Sequence, residues 1–137
     1  MGLFDRLSST KFELNPKSAM FLAAITMIGV DGVVEDSELS DLHKIVRGDD
    51  ANLEVAFKMY KAKEIRECIP LIATSLSEKQ KIATICILLD LAMSDGILVG
   101  NEEKLMNEYI NTFGIKEDII NDIVDVIALK NDPTIFK

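Results

Sequence analysis

The stretch Met27-Ile-Gly-Val-Asp31-Gly32-Val-Val-Glu35-Asp36-Ser37-Glu38 decides how this chain is read, because it occurs twice. The second copy is Leu91-Ala-Met-Ser-Asp95-Gly96-Ile-Leu-Val-Gly100-Asn101-Glu102, displaced by 64 residues. In each copy an apolar run ends at Asp-Gly, and a Glu follows seven residues after the Asp. Self-similarity at a fixed period sets an architecture before any single element does. The repeat predicts two like units, each a helix, a tight turn and a second helix.

Working outward, Asn15-Pro16 has the chemistry of a helix start, with Asn as N-cap and Pro in the first turn. The run from Lys17 to Val30 is apolar nearly all round, as expected of a helix in the middle of a bundle. Gly32 then stops it in a left-handed conformation. A second helix is predicted over Asp36–Val46 with Leu39, Leu42 and Val46 inward, and Gly48-Asp49-Asp50 breaks it. A third covers Asn52–Lys63. A fourth covers Glu64–Leu76, with Pro70 predicting a kink or a late start. Ser77-Glu-Lys-Gln80 fits a capping box and opens a fifth helix, Glu78–Ser94, apolar on most sides like the first. The sixth, Asn101–Phe113, ends at Gly114. The seventh, Glu117–Lys130, sets Ile119, Ile120, Ile123, Val124 and Ile127 against Asp118, Asn121, Asp122 and Asp125.

No stretch alternates with period two for long enough to argue a strand. The expected fold is therefore all-α: a compact bundle of about seven helices, built from two pseudo-twofold related repeats around two buried central helices. Residues 1–16 form an N-terminal arm and 17–137 a single domain, with repeat 1 over about 17–63 and repeat 2 over about 78–130. Neither half could cover its central helix alone. In the arm, Leu3, Phe4 and Leu7 fall on one side of a helical turn, which suits docking on the domain or, less simply, a membrane surface.

Bulk properties narrow the partners. The chain has 137 residues, 48% hydrophobic and 28% charged, with a net charge of −8 and a pI near 4.6. Phosphate backbones are repelled by such a charge, so nucleic acid is not an expected ligand, whereas cations and basic protein surfaces are. The apolar runs are too short for a transmembrane segment, which needs about 20 residues. Met1–Leu7 holds Asp5 and Arg6 with no following apolar region, so no secretory signal is read and a cytoplasmic location is expected. Cys68 and Cys86 have no metal-type spacing and read as buried free thiols.

The candidate site is the repeated turn. Asp31 and Asp95 stand at helix C-termini, where a carboxylate is unfavourable by roughly 0.3–1 kcal/mol. Glu38 and Glu102 stand in the first turn of the next helix, where a carboxylate is favourable. One reading is purely structural capping. The other is that Asp and Glu converge on a hard divalent cation, Ca²⁺ or Mg²⁺ rather than Zn²⁺, with no organic cofactor. Gly32-x5-Glu38 and Gly96-x5-Glu102 fit the second half of an EF-hand loop, but Met27, Gly29, Leu91 and Met93 stand at the first ligand positions. A cation would then take fewer protein ligands per turn, more water, or both turns together. Glu35 and Asp36 add carboxylates to the first copy, where the second has Val99 and Gly100. Asp90, inside an apolar helix, reads as a helix-surface carboxylate or as facing a cavity.

An apolar helix, Asp-Gly and x5-Glu, repeated in a small helical chain, resembles the TerB-like family. That family takes in tellurite resistance proteins and the N-terminal domain of a membrane-anchored co-chaperone. The resemblance covers roughly Lys17–Lys130, and the opening Met1-Gly-Leu-Phe-Asp-Arg-Leu also fits. It implies a compact helical domain with an acidic, cation-binding face and a role in bacterial stress response, with Asp31, Glu38, Asp95 and Glu102 at the matching positions. The sequence departs from the family where a Ser or Thr often precedes the Glu by three residues; here stand Glu35 and Val99. Basic or membrane-associated components of a stress complex are the implied partners, and the inner membrane face is a second possible location.

Catalysis has little support. His43 is the lone histidine, no Ser-His-Asp or Cys-His arrangement can be assembled, and there is no phosphate-binding glycine loop. The expectation is a non-enzymatic cation-binding stress module. The alternative is an acidic interaction scaffold with purely structural Asp-Gly turns.

Overall fold

In a computed structural model, residues 13–32, 34, 36–93 and 100–137 are described. Among them seven α-helices follow one another: α1 (Pro16–Gly29), α2 (Asp36–Val46), α3 (Asp50–Ala62), α4 (Ile65–Ser75), α5 (Glu78–Ala92), α6 (Gly100–Phe113) and α7 (Glu117–Lys130). A single 3₁₀ turn, Pro133–Phe136, closes the chain. No strand occurs among the described residues, so the all-α bundle expected from the repeat is the fold.

The helix starts follow local chemistry. Asn15 accepts from the Ser18 amide at 2.8 Å while the Ser18 hydroxyl accepts from the Asn15 amide at 3.0 Å, a reciprocal cap with Pro16 in the first turn. Ser77 and Gln80 form the expected capping box on α5. Asp49 caps α3, two residues earlier than the sequence suggested, by accepting from the Asn52 amide at 3.2 Å. Glu64 and Glu67 form a further capping box on α4. That helix runs unbroken through Pro70. The lost donor would have served the Arg66 carbonyl, and both residues are exposed, so water can take its place.

The middle of the bundle is α1. Ser18, Ala19 and every residue from Phe21 to Ile28 are buried, because α2, α3, α4, α5 and α6 all pack on this helix. Near its end α1 and α3 approach so closely that a side chain at Gly29 would overlap the Tyr60 hydroxyl. Inside the core, the Thr26 hydroxyl shares a 2.6 Å hydrogen bond with the Tyr109 hydroxyl of α6 and donates to the Ala23 carbonyl at 2.7 Å. Burial pushes the Tyr109 phenol far above its usual range, although the Thr26 bond opposes the shift. Tyr109 also meets Phe113 edge-on at 5.6 Å.

The second central helix is enclosed differently. On α5, Thr84, Ile85, Leu88, Leu89 and Ala92 are buried, but Ile82, Cys86, Ile87 and Leu91 are only half-buried. It packs chiefly against α1, α6 and α7. Cys68 is buried as expected, whereas Cys86 is half-buried; desolvation raises both thiols above their ordinary pKa.

Candidate cation site at the repeated turns

The first turn follows directly from its residues. α1 ends at Gly29, Val30 caps it, and the chain reverses at Gly32, whose φ of +77° only glycine adopts without strain. The Gly32 amide donates to the Gly29 carbonyl at 3.0 Å, which tightens the reversal. Asp31 is exposed on this turn. Glu38 is the third residue of α2 and half-buried, with Asp36 exposed at the head of the same helix. Asp36 and Glu38 both sit in the first turn of α2, where the helix dipole favours negative charge.

Of the second copy, Leu91–Met93 and the residues from Gly100 onward are described. Gly100 opens α6 at φ +65°, and Glu102 is the third residue of α6, matching Glu38 in α2. Glu102 is half-buried like its counterpart. Glu35 of the first copy and Asp95 of the second lie outside the described residues, as do Gly96 and Val99. Among the described residues no group of three or more His, Cys, Asp or Glu side chains converges in a way that could hold a metal ion.

Tertiary packing adds a relation between the copies that neither sequence copy contains. A depression of about 330 Å³ is lined by Val30, next to Asp31, and by Asn101, next to Glu102. The end of α1, just before Asp31, and the start of α6, which bears Glu102, therefore border one depression, although neither carboxylate is among its lining residues. Arg66 of α4 and Lys104 and Glu108 of α6 line the same depression. An acidic pair here would have oxygen donors on two elements and cationic side chains close by.

Other charged positions are placed in pairs. Asp90 is a surface carboxylate of α5, as its helical setting suggested, and meets Lys130 of α7 at 2.8 Å. Asp49 meets Lys17 at 2.8 Å and accepts from the Asn52 side chain at 2.8 Å, while Asn15 donates to Asn52 at 2.8 Å. This network ties the start of α1 to the start of α3. The Lys17 bond, then those from the Asn52 side chain and backbone, hold the Asp49 carboxyl down at about 2. The sequence reading missed this network; its one local signal was an Asp three residues before an Asn. His43 is exposed on α2.

The family model described as tellurite resistance protein TerB matches residues 17–124. The chain belongs to the TerB family. That match spans α1 to α6 and most of α7, so it includes both copies of the Asp-Gly-x5-Glu turn. Neither the curated proteins nor the solved structures contain a match. None of the described helices in this TerB-family chain is long and apolar enough to cross a membrane.

Proposed function

We propose that this TerB-family protein is a non-enzymatic module of a tellurite resistance-type bacterial stress response that binds a divalent cation at its Asp-Gly turns. The observation that supports the reading is that Val30, next to Asp31, and Asn101, next to Glu102, line one depression. Carboxylate oxygens on two elements, completed by water, suit Ca²⁺ or Mg²⁺. Zn²⁺ would call for nitrogen or sulfur, and His43, Cys68 and Cys86 lie on α2, α4 and α5 rather than at these turns. Asp31, Glu38, Asp95 and Glu102 are the proposed ligands, with Glu35 as an additional carboxylate on the first turn.

On this reading the protein works through partners rather than through a reaction. Its net charge of −8 suits basic protein surfaces, in the cytoplasm or at the inner face of the membrane. A second reading, an acidic interaction scaffold with structural turns, is favoured by Arg66 and Lys104 in the same depression. Those side chains can neutralise carboxylates without any metal.

Titration of Ca²⁺, Mg²⁺, Mn²⁺ and Zn²⁺, followed through backbone amide resonances, separates the two. Binding at the turns predicts saturable shifts around Gly32 and Gly96 that disappear in the Asp31→Asn, Asp95→Asn variant. Weak, unsaturable shifts spread over the acidic surface and unchanged in the variant would sink the cation reading and leave the scaffold.

A further inference from the structure

The half-covered side of α5 forms a continuous apolar surface. Cys86 and Ile87 of α5 face Ile123, Val126 and Ile127 of α7 across a groove of about 490 Å³. Val126 is 66% exposed, far more than an aliphatic side chain on an ordinary inward helix face. A second depression of about 280 Å³ starts at Pro16, Lys17 and Met20 at the head of α1 and also ends on Ile87. Apolar surface thus runs from the point where the chain enters α1, along α5, to the α5/α7 groove. A contiguous apolar groove of this kind marks a site that something covers.

The chain supplies its own candidate. Twelve residues, 1–12, precede the described part and join it at Glu13. Leu14 packs against the core, which fixes the arm's root at the head of α1, beside the mouth of the surface. The six residues from Ser8 to Glu13 can span about 20 Å when extended. From Ala83 to Asp90, α5 covers only about 10 Å. Leu3, Phe4 and Leu7 have the spacing of one side of a helical turn. Residues 1–12 carry Arg6 and Lys11 against Asp5, and the groove carries Asp122 together with Asp90, which is paired with Lys130. Reach and apolar spacing match.

We propose that the N-terminal arm docks Leu3, Phe4 and Leu7 into the groove between α5 and α7, completing the cover that α5 otherwise lacks. The inference is independent of any cation at the turns.

Cys86 lines the groove and Cys68 is fully buried under α1, so the chain carries a reporter and an internal control. The test is iodoacetamide alkylation of the full-length protein, read by peptide mass, against a Leu3→Ser, Phe4→Ser, Leu7→Ser variant. Docking predicts that Cys86 reacts about tenfold faster in the variant while Cys68 stays protected. The wild-type rate should not change on dilution. Equal Cys86 rates in the two proteins overturn the proposal. So does wild-type protection that is lost on dilution, which would assign the groove to a second copy. If Cys68 also becomes reactive in the variant, the decision passes to Val126→Asp, an exposed position outside the core. Acceleration of Cys86 alone in that protein supports docking, and an unchanged rate overturns it.

Discussion

The helices α1 and α5 each lead into a copy of the Asp-Gly motif and are both largely apolar, yet they end up in different surroundings. In sequence, α5 carries Glu78, Lys79, Lys81 and Asp90 where α1 has only Lys17. Helix α1 is buried on every side over its central two turns, and α5 is buried along one face only. Each packs on the next helix of its repeat and on the one after, α1 on α2 and α3, α5 on α6 and α7. The difference is α4, which lies between the repeats and packs on α1, α3 and α6. No described helix takes that place over α5. One extra helix therefore leaves α1 in the core and α5 at a flank that keeps the groove.

Substitutions in the two helices make the contrast measurable. The largest difference is expected between Leu22→Ala in α1 and Ile87→Ala in α5, followed by urea denaturation. Leu22 is fully buried and its truncation should destabilise by about 2–5 kcal/mol through lost transfer energy and a cavity. Ile87 is half-buried and should lose about 1 kcal/mol or less. Equal losses would break the distinction between core and flank.

Next come Thr26 and Asp90, which are 64 residues apart and so hold matching positions just ahead of the two copies. Thr26→Val leaves the Tyr109 hydroxyl buried without its 2.6 Å partner, and about 1–3 kcal/mol should be lost. Asp90→Asn removes a surface pair with Lys130 and should change stability by no more than about 1 kcal/mol, less at high salt. A salt-insensitive loss at Asp90 as large as that at Thr26 would contradict the assignment of α5 to the flank.

The smallest effect is a pH dependence at the root of α1. Asp49 titrates at about 2 instead of 3.8, so the native state holds its ionised form more tightly than the unfolded chain does. Its contribution is fully present above about pH 4 and is lost as the pH falls toward 2. The difference in stability between wild type and Asp49→Asn should therefore shrink on acidification through that window. A difference that stays constant from pH 5 to pH 2 would place the stabilisation elsewhere.

Much of this fold could be read before the structure, and for physical reasons. Caps at Asn15 and Ser77, the left-handed Gly32 and Gly114, and the apolar periods are local signals, and the helices they predict lie within two residues of the observed ones. Pro70 does not delay the start of α4, because a proline on the exposed side of a helix leaves a carbonyl that water can serve. Burial of α5 was overstated because composition cannot say which neighbour will cover a face. The Thr26–Tyr109 bond and the Lys17–Asp49–Asn52–Asn15 network join residues from different helices, so no local pattern announces them. At the turns, the sequence placed Glu38 and Glu102 in the first turns of their helices. The approach of the first turn to the start of α6 depends on packing alone.

That approach is the centre of the functional account, and Mn²⁺ tests it most directly, since its paramagnetism broadens only nearby amides. With substoichiometric Mn²⁺, the amides of Gly32 and Asn101 should broaden together in the wild type, and Asp31→Asn should abolish the broadening at both. Broadening at Gly32 that leaves Asn101 sharp, or broadening at Asn101 that survives Asp31→Asn, would contradict a site shared by the two turns.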